Sequence, residues 1–363
     1  MSAEREAAMR AFLKESGWDG AGVTPLPGDA STRRYFRVVH GNRKAMLMDQ
    51  PQHAETPAAP AGATPEERRA LGYNAVARLA GADVARFVAA SNFLRAHGLS
   101  APDIYAADPA RGFALIEDLG DALYADVLAD GGDAHALYAA AVDALARLHT
   151  ARAPATLPPD KPLHAFDETA LIAETDLMTE WFLPLALGRA ATVEETAGHR
   201  ARWRDVLAPV LAAAPVFVHR DYHAQNLIWL PERDGLARVG MIDFQDAVAG
   251  TRSYDLISLI EDARRDVAPE LAEAMTRRYI AAAGVDEAAH RAEMAVMAAQ
   301  RNAKIAGIFA RLHKRDGKPR YLDYLPRVWG YLNRDLEHPA LAPLKAWYDR
   351  TIPNDARGRP RGS

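Results

Sequence analysis

Apolar residues in the first part of the chain recur at two spacings, one helical and one extended. Residues 1–16 mix charged residues with apolar ones at helical spacing, which predicts an amphipathic helix. Residues 34–39 and 45–48 are β-branched, aromatic and apolar, with the turn signal His-Gly-Asn between them. This pattern predicts a β-hairpin.

A loop, a helix and two further strands are predicted after the hairpin. Residues 51–66 are rich in proline and alanine without periodicity, which is typical of a mobile surface loop. Residues 84–97 have helical spacing, and Gly98 is placed to end that helix. Residues 104–106 and 113–117 have the composition of short strands. The N-terminal part is therefore predicted to be a small α+β unit with about five strand-like segments.

Helical spacing dominates from Leu123 onward, and short strands interrupt it in one region. The predicted helices are residues 134–149, 168–182 and 201–211, and most of 255–346. The predicted short strands are residues 216–218, 227–230 and 239–242. The polar residues 351–363 predict a disordered tail.

Composition and charge limit the class of protein. The chain has 363 residues, which at roughly 150 residues per domain suggests two domains. Apolar residues make up 49%, charged residues 25%, and the net charge is −4, so bulk electrostatics indicate neither a nucleic-acid nor a membrane partner. The chain lacks cysteine, which excludes disulfides, thiolate nucleophiles and cysteine-ligated metals.

We expect neither a secretory signal nor a membrane span. Residues 1–17 contain charges throughout and have no continuous apolar core. The longest apolar run, residues 206–218, is broken by Pro209 and Pro215 and is too short to cross a bilayer. These features predict a soluble cytoplasmic protein, which we expect to be a monomer.

The strongest chemical signal is VFVHRDYHAQNLIWL, residues 216–230. His219, Arg220 and Asp221 followed by Asn226 have the His-Arg-Asp-x-x-x-x-Asn spacing of a phosphotransferase catalytic loop. The carboxylate of such a loop orients the acceptor hydroxyl and takes its proton, and the amide oxygen reaches magnesium. One carboxylate suffices because phosphoryl transfer depends mainly on positioning and charge neutralisation.

A second candidate magnesium ligand follows a short apolar strand. The segment VGMIDFQD places Asp243 after that strand, with Asp-Phe-Gln where a protein kinase has Asp-Phe-Gly. A carboxylate at the end of a buried strand costs free energy unless it is paired or metal-bound, and hard oxygen ligands suit magnesium. Asp221, Asn226 and Asp243 together are therefore a much stronger signal than any one of them.

Extended sequence blocks resemble a known family. VHRDYHAQNLIW and VGMIDFQDAVAGTRSYDLISLIEDA resemble the aminoglycoside phosphotransferase and choline kinase superfamily, a branch of the protein-kinase-like fold. Within it, the chain resembles the anomeric N-acetylmuramate/N-acetylglucosamine kinases of bacterial cell-wall recycling. The narrower resemblance is carried by GDASTRRYFRV, RGFALIEDLGDALY, TEWFL, IDFQDAVAG…YDLISLIEDARRDV and QRNAKIAGIFARLHKRDGKPRYLDYLPR, from about residue 27 to 330.

The resemblance implies a bilobal kinase-like α+β fold with a small sheet-containing N-lobe and a large, mainly α-helical C-lobe. Residues 1–118 would be the nucleotide-binding lobe and 119–350 the catalytic and substrate-binding lobe, with a hinge near 117–121. The implied reaction is ATP- and magnesium-dependent phosphorylation of the anomeric (C1) hydroxyl of N-acetylmuramate or N-acetylglucosamine in peptidoglycan recycling. That hydroxyl is more acidic than an ordinary alcohol, so a single aspartate can activate it.

The resemblance also implies residue roles. Asp221 would be the catalytic base, Asn226 and Asp243 would hold Mg²⁺, and Asp255 would brace the catalytic loop. Residues 28–34 would cover the phosphates and 117–119 would meet the adenine. The implied nucleotide-binding residues are Gly28, Ser31, Arg33, Arg34, Glu117 and Leu119.

Five residues are candidates for binding the acceptor. Glu174, Asp176 and Trp181 lie in a predicted helix that the superfamily often uses to shape the acceptor pocket, and carboxylates and aromatic faces commonly hold sugars. A solvated helix face with Trp181 in the core explains them equally well. For Asn302 the alternative is a buried hydrogen bond, and for His223 it is a hydrogen-bonded polar turn.

The chain departs from the kinase pattern at two points. The phosphate loop has Gly28 alone instead of Gly-x-Gly-x-x-Gly, and strand residues 45–49 include no lysine. No acidic residue occurs between positions 83 and 103, so we expect the lysine–glutamate ion pair of protein kinases to be absent. Arg33 or Arg34 is a candidate for the missing positive charge.

Three other functions remain open. One is a kinase of another small hydroxyl compound, such as an aminoglycoside, choline or a homoserine-like acceptor. The second is a catalytically silent nucleotide-binding or scaffold protein, which the missing lysine favours and the retained Asp221 and Asp243 oppose. The third is a metal hydrolase with His219, Asp221 and His223 as ligands, which leaves Asn226 unexplained.

Overall fold

A computed structural model describes residues 2–27, 33–51, 57–81 and 83–360. The chain divides into two compact units, the first made of residues 1–148, 154–164 and 224–247 and the second of 149–153, 165–223 and 248–363. Residues 119–148 thus belong with the first unit, whereas the implied lobe boundary lies at residue 118. That functional boundary stays a prediction.

The strands are short, and most of them belong to the first unit. They are β1 (Gly22–Pro25), β2 (Arg34–His40), β3 (Arg43–Asp49), β4 (Ile104–Asp108), β5 (Phe113–Ile116), β6 (Thr156–Leu157), β7 (Lys161–Pro162), β8 (Val216–Val218), β9 (Leu227–Trp229), β10 (Val239–Met241) and β11 (Val248–Gly250). Five of them form an antiparallel sheet in the order β1-β2-β3-β5-β4. Strand β9 pairs with β10 in the first unit, and β8 pairs with β11 in the second.

Helices fill the remainder of both units. They are α1 (Ala3–Glu15), α2 (Pro65–Leu71), α3 (Val84–Ala96), α4 (Tyr124–Ala129), α5 (Ala134–Leu148), α6 (Glu168–Leu177), α7 (Leu183–Leu187), α8 (Val193–Leu211), α9 (Ser253–Ile260), α10 (Pro269–Ala283), α11 (Glu287–Lys314), α12 (Leu325–Asp335), α13 (Ala342–Thr351) and α14 (Asn354–Arg357). No helix in the described ranges is long and apolar enough to cross a membrane.

The sheet forms the core of the first unit on the face that meets α1. The predicted hairpin is confirmed as β2 and β3, with Val38 opposite Ala45 and both residues fully buried. Met9 and Phe12 of α1 pack into the same apolar cluster. The sequence pattern did not identify β1, because an edge strand that contains Gly22 and ends at a proline lacks the usual composition of a strand.

Helix α11 runs through the second unit and packs against α6, α9 and α12. The predicted helix over 168–182 continues beyond α6 as a π-helical turn, Met178–Phe182. The helix predicted over 201–211 begins earlier, at Val193, because Thr192 and Glu195 form a capping box. The α+β fold class, with a sheet in the N-terminal part and mainly helices in the C-terminal part, is confirmed.

The C-terminal segment is more structured than its polar composition suggests. We expected residues 351–363 to be disordered, but α13 reaches Thr351 and Asn354–Arg357 forms a further helical turn. The buried Arg357 side chain donates hydrogen bonds to the Ile352 carbonyl at 3.2 Å and to Asp349 Oδ1 at 2.8 Å. One arginine thus fixes the described part of a segment that has few apolar residues.

Candidate active site

In the first unit, the hairpin of β9 and β10 brings two candidate metal ligands to one end. Leu227 pairs with Met241, and the Ile242 N–H donates to the Asn226 carbonyl at 3.1 Å. Asn226 directly precedes β9, and Asp243 follows β10 by two residues. Both residues are partly exposed.

These two side chains fit a magnesium ion by their chemistry. A carboxylate and an amide oxygen are hard donors, and magnesium is usually held by one or two carboxylates together with waters and substrate phosphates. Within the described ranges, no group of three or more His, Asp or Glu side chains is arranged to hold a metal ion. The roles of Asn226 and Asp243 as magnesium ligands stay predictions.

Backbone strain marks the motif. Arg220 has φ of 75° and Asp243 has φ of 64°, and Leu79 is the one other non-glycine residue with positive φ in the described part of the chain. Such conformations cost about 1–3 kcal/mol each and persist only where the surrounding structure holds them, often at functional sites. Two of the three thus lie in the segments that the sequence singled out for chemistry.

Arg33 is paired with the candidate metal ligand Asp243. Its Nη2 lies 2.8 Å from Asp243 Oδ1, and its Nη1 donates to Gln245 Oε1 at 2.6 Å. The Gln245 Nε2 donates in turn to Asp243 Oδ1 at 3.0 Å. Burial disfavours the charged guanidinium, yet the pKa of Arg33 is raised overall, because the charges of Tyr35, Asp243 and Asp246 favour it.

Two more arginines hold the same segment, residues 243–247. Arg78 Nη2 lies 2.8 Å from Asp246 Oδ2. Arg86, on α3, donates to the carbonyls of Gln245 at 3.4 Å and Ala247 at 3.1 Å. We call the three arginines that contact residues 243–247 the arginine cradle: Arg33, Arg78 and Arg86. Helix α3 thus contacts residues 245 and 247 through a cationic side chain.

Arg34, the other candidate for the missing lysine, has a different partner. Its Nη2 contacts Oδ2 of Asp49 at 2.5 Å, and Asp49 is fully buried at the end of β3. Of the two arginines, Arg33 is the one beside the candidate metal ligand. Gly28 and Ser31, the other predicted members of the phosphate loop, lie outside the described residues, and their role stays a prediction.

The predicted adenine-contacting residues come directly after β5. The Glu117 N–H donates to the Asp103 carbonyl at 2.8 Å, and its carboxylate pairs with Arg233 at 2.5 Å. Leu119 is buried in a small apolar cluster with residues 228 and 230. The Glu117 N–H is thus used within the protein, and contact of this segment with adenine stays a prediction.

In the second unit, the loop that carries Asp221 follows β8 and is held by a buried carboxylate from α9. The Asp255 carboxylate accepts the N–H groups of His219 at 2.6 Å and of Arg220 at 2.9 Å. Burial raises the pKa of Asp255 to about 7, while these two N–H groups act in the opposite direction. The bracing role expected of Asp255 is confirmed by these hydrogen bonds.

The side chain of Arg220 ties the same loop to α6. Its Nη2 donates to Glu174 Oε1 at 2.5 Å, and its guanidinium lies 4.7 Å from the Phe166 ring centroid. Lys304 Nζ lies 2.8 Å from Glu174 Oε1, and Gln300 donates to Oε2 at 3.0 Å. Burial raises the pKa of Glu174, but the two cations and these hydrogen bonds outweigh it and lower the pKa overall.

The other predicted acceptor residues have varied surroundings. Asp176 is paired with Arg200 at 2.8 and 3.0 Å, and Trp181 is partly buried within the π-helical turn. Glu174, described above, uses both carboxylate oxygens within the protein. Contact of these side chains with an acceptor stays a prediction.

Asn302 and His223 are both buried. Asn302 is fully buried and donates to Glu261 Oε2 at 2.8 Å and to Asp335 Oδ2 at 3.0 Å. These are buried hydrogen bonds of the kind given above as the alternative to acceptor binding. Burial lowers the pKa of His223, although the charge of Asp262 acts in the opposite direction. A role of either residue in acceptor binding stays a prediction.

Sequence reasoning did not identify Arg78, Arg86 or Lys304. A signal was present for Arg86, since it is a cation within the otherwise apolar stretch VARFVAA of a predicted helix. A cation on an apolar helix face requires partners, which here are the backbone carbonyls of Pro162, Gln245 and Ala247. Arg78 and Lys304 likewise stand in apolar stretches, AVARLAGA and AKIAGIFA.

Comparison with known proteins places the chain in a family. Residues 22–296 match the Phosphotransferase enzyme family, and the chain belongs to that family. It is 49% identical over 364 residues to the N-acetylmuramate/N-acetylglucosamine kinase of Caulobacter vibrioides. The match covers 98% of this chain and 99% of the relative. The resemblance read from the sequence blocks is therefore confirmed.

Solved structures agree on the fold. A choline/ethanolamine kinase family protein from Mesorhizobium loti is similar with a TM-score of 0.57 and 16% identity, covering 94% of this chain and 98% of that one. An ADP-bound aminoglycoside phosphotransferase is similar with a TM-score of 0.55 and 14% identity, covering 94% and 98%. At these identities the likeness establishes the shared kinase-like fold.

Proposed function

We propose that this protein is an ATP- and Mg²⁺-dependent kinase that phosphorylates the anomeric hydroxyl of N-acetylmuramate or N-acetylglucosamine. The observation that carries the proposal is the set Asp221, Asn226 and Asp243, which the chain retains on a braced loop and a hairpin end. Its acceptor class is supported by the near full-length identity to a kinase named for these two sugars.

Asp221 is the general base in this proposal. The sugar hydroxyl oxygen forms a bond to the γ-phosphorus, the bond from that phosphorus to the β–γ bridging oxygen breaks, and the hydroxyl proton passes to the Asp221 carboxylate. General-base catalysis of this kind contributes typically about 10²–10⁴-fold. The loop is held at its backbone by Asp255 and at its Arg220 side chain by Glu174, so the base is positioned before the acceptor binds.

Asn226 and Asp243 are the residues that would hold Mg²⁺. When bound, the ion neutralises charge on the transferring phosphates. The buried guanidinium of Arg33 adds a positive charge beside Asp243. This charge supports Arg33 as the residue that replaces the missing strand lysine.

The ion pairs of the acceptor-helix carboxylates favour a sugar over a polycationic aminoglycoside. Glu174 is paired with Arg220 and Lys304, and Asp176 is paired with Arg200. A site that recognises a polycation needs uncompensated negative charge, whereas each of these carboxylates is already neutralised. An N-acetylated amino sugar needs no such charge.

The test is an ADP-release assay with ATP, Mg²⁺ and a panel of N-acetylglucosamine, N-acetylmuramate, choline and kanamycin, with phosphorus NMR to locate the new phosphate. We expect turnover on the two sugars with the phosphate at C1. Asp221→Asn should lower kcat by about 10²–10⁴-fold. Asp234→Asn, the same change in an exposed turn, is the matched control and should behave as wild type. Turnover on neither sugar, or an unchanged rate for Asp221→Asn, would refute the proposal.

A further inference from the structure

The Asp243 carboxylate has two prospective cations. The proposed function assigns it to Mg²⁺, whereas its Oδ1 lies 2.8 Å from Arg33 Nη2 and accepts the Gln245 Nε2 hydrogen bond at 3.0 Å. Two cations within a few ångströms repel each other strongly in a partly buried setting. Metal binding at this oxygen therefore requires Arg33 to leave it.

Arg33 is held in place by Tyr35 and by Gln245, and Gln245 also holds Asp243. Its side chain is 8% exposed, and Nη1 bonds Gln245 Oε1 at 2.6 Å and lies 3.4 Å from the Tyr35 hydroxyl. Gln245, at the position where protein kinases have glycine, accepts from Arg33 and donates to Asp243. The three side chains form a closed ring, so displacement of any one loosens the other two.

We propose that Arg33 is a charge latch, a positioning residue that neutralises Asp243 in the ligand-free protein and moves to the nucleotide phosphates when the carboxylate takes the metal. A guanidinium suits this exchange because its planar fork binds carboxylates and phosphates alike. The proposal rests on the proposed function, which supplies the nucleotide and the metal as ligands.

The latch couples the two ligands. Metal alone must displace Arg33 from Asp243 with no compensating partner, so it binds weakly. Nucleotide supplies that partner, so metal and nucleotide bind with positive coupling, which is reciprocal by thermodynamic necessity. The strand lysine of other kinases is absent from this chain. Its place is then taken by an arginine that moves when ligand binds.

Binding measurements on the purified full chain test the latch without any acceptor sugar. Mn²⁺ binding to the nucleotide-free protein is followed by electron paramagnetic resonance, and ADP binding in EDTA by calorimetry. Arg33→Met should tighten Mn²⁺ at least tenfold and weaken metal-free ADP at least tenfold. Arg78→Met is the matched control, because it removes the same charge from the arginine cradle but from Asp246. Arg78→Met should change the Mn²⁺ and ADP affinities by less than about threefold, because its partner Asp246 is not a proposed metal ligand.

Opposite signs for the two ligands are the signature of the latch. It is overturned if Arg33→Met changes Mn²⁺ affinity no more than Arg78→Met does, or if it weakens both ligands. Arg33→Lys keeps the charge and loses the fork, so it should tighten Mn²⁺ by a smaller factor. This variant decides the question if the Met variant does not fold, and an unchanged or weaker Mn²⁺ affinity then overturns the latch.

The same measurements separate the two proposals. If the wild-type protein does not bind ADP with or without Mn²⁺, the proposed function fails. If it binds ADP with Mn²⁺ while the Arg33 and Arg78 variants behave alike, the kinase proposal stands and the latch alone fails.

Discussion

Gly307 of α11 is a position where one methyl group should measurably destabilise the protein. A Cβ there would lie 2.5 Å from the Leu177 carbonyl carbon and 2.6 Å from the Leu177 Cβ and O atoms. Carbon atoms in contact normally lie about 3.5–4.0 Å apart. Because these neighbours are backbone and Cβ atoms, no side-chain rotation relieves the clash, and α11 must move away from α6 by about 1 Å.

The magnitude of the effect follows from two opposing terms. Overpacking of this kind costs about 1–3 kcal/mol, and a rigid backbone contact belongs at the upper end. Replacing a helical glycine by alanine gains about 1 kcal/mol from helix propensity and the unfolded chain. We therefore expect Gly307→Ala to lose about 2 kcal/mol of unfolding free energy.

Gly330 of α12 offers a matched control. It is exposed, and a Cβ there meets no atom within 4 Å. Gly330→Ala should therefore gain about 0.5–1 kcal/mol, because the entropic term acts without a clash. The two variants share the same change in the unfolded chain, so their difference of about 3 kcal/mol isolates the contact with Leu177.

Guanidinium unfolding followed by tryptophan fluorescence measures this difference. The probes suit the second unit, where Trp203, Trp329 and Trp347 are buried. Gly307→Ala as stable as Gly330→Ala would refute the packing argument.

Two further predictions concern charges buried in the second unit. Glu174→Gln leaves the cations Arg220 and Lys304 without their carboxylate and should cost about 3–5 kcal/mol in denaturant unfolding, whereas Lys304→Met added to it should recover part of that loss; no recovery would contradict the ion-pair account. Burial lowers the pKa of His199 to about 3, so below pH ~6.5 the unfolded chain binds a proton there that the folded chain does not, and stability falls as the pH falls. His199→Asn should make the loss of unfolding free energy between pH 6 and 4.5 shallower by about 1.4 kcal/mol per pH unit, and an unchanged slope would count against a neutral His199.

The sequence predicted what local periodicity and spacing can carry. The β2–β3 hairpin and helix α3 matched because their apolar patterns are strong, and Asn226 and Asp243 could be related because a short hairpin separates them. The Arg33 bond to Gln245 joins residues 212 positions apart, and such a pairing exists only once the chain has folded. The positive φ of Asp243 is likewise a product of its surroundings.

Arg86 contacts residues 243–247 through main-chain carbonyls, which every amino acid supplies. These hydrogen bonds therefore do not depend on the side chains at positions 245 and 247. They do depend on the number of residues between the two carbonyls. Sequence drift at these positions is tolerable to this contact, whereas an insertion or deletion would shift a carbonyl out of reach. The tie between α3 and this segment thus constrains the length of the chain more than its composition.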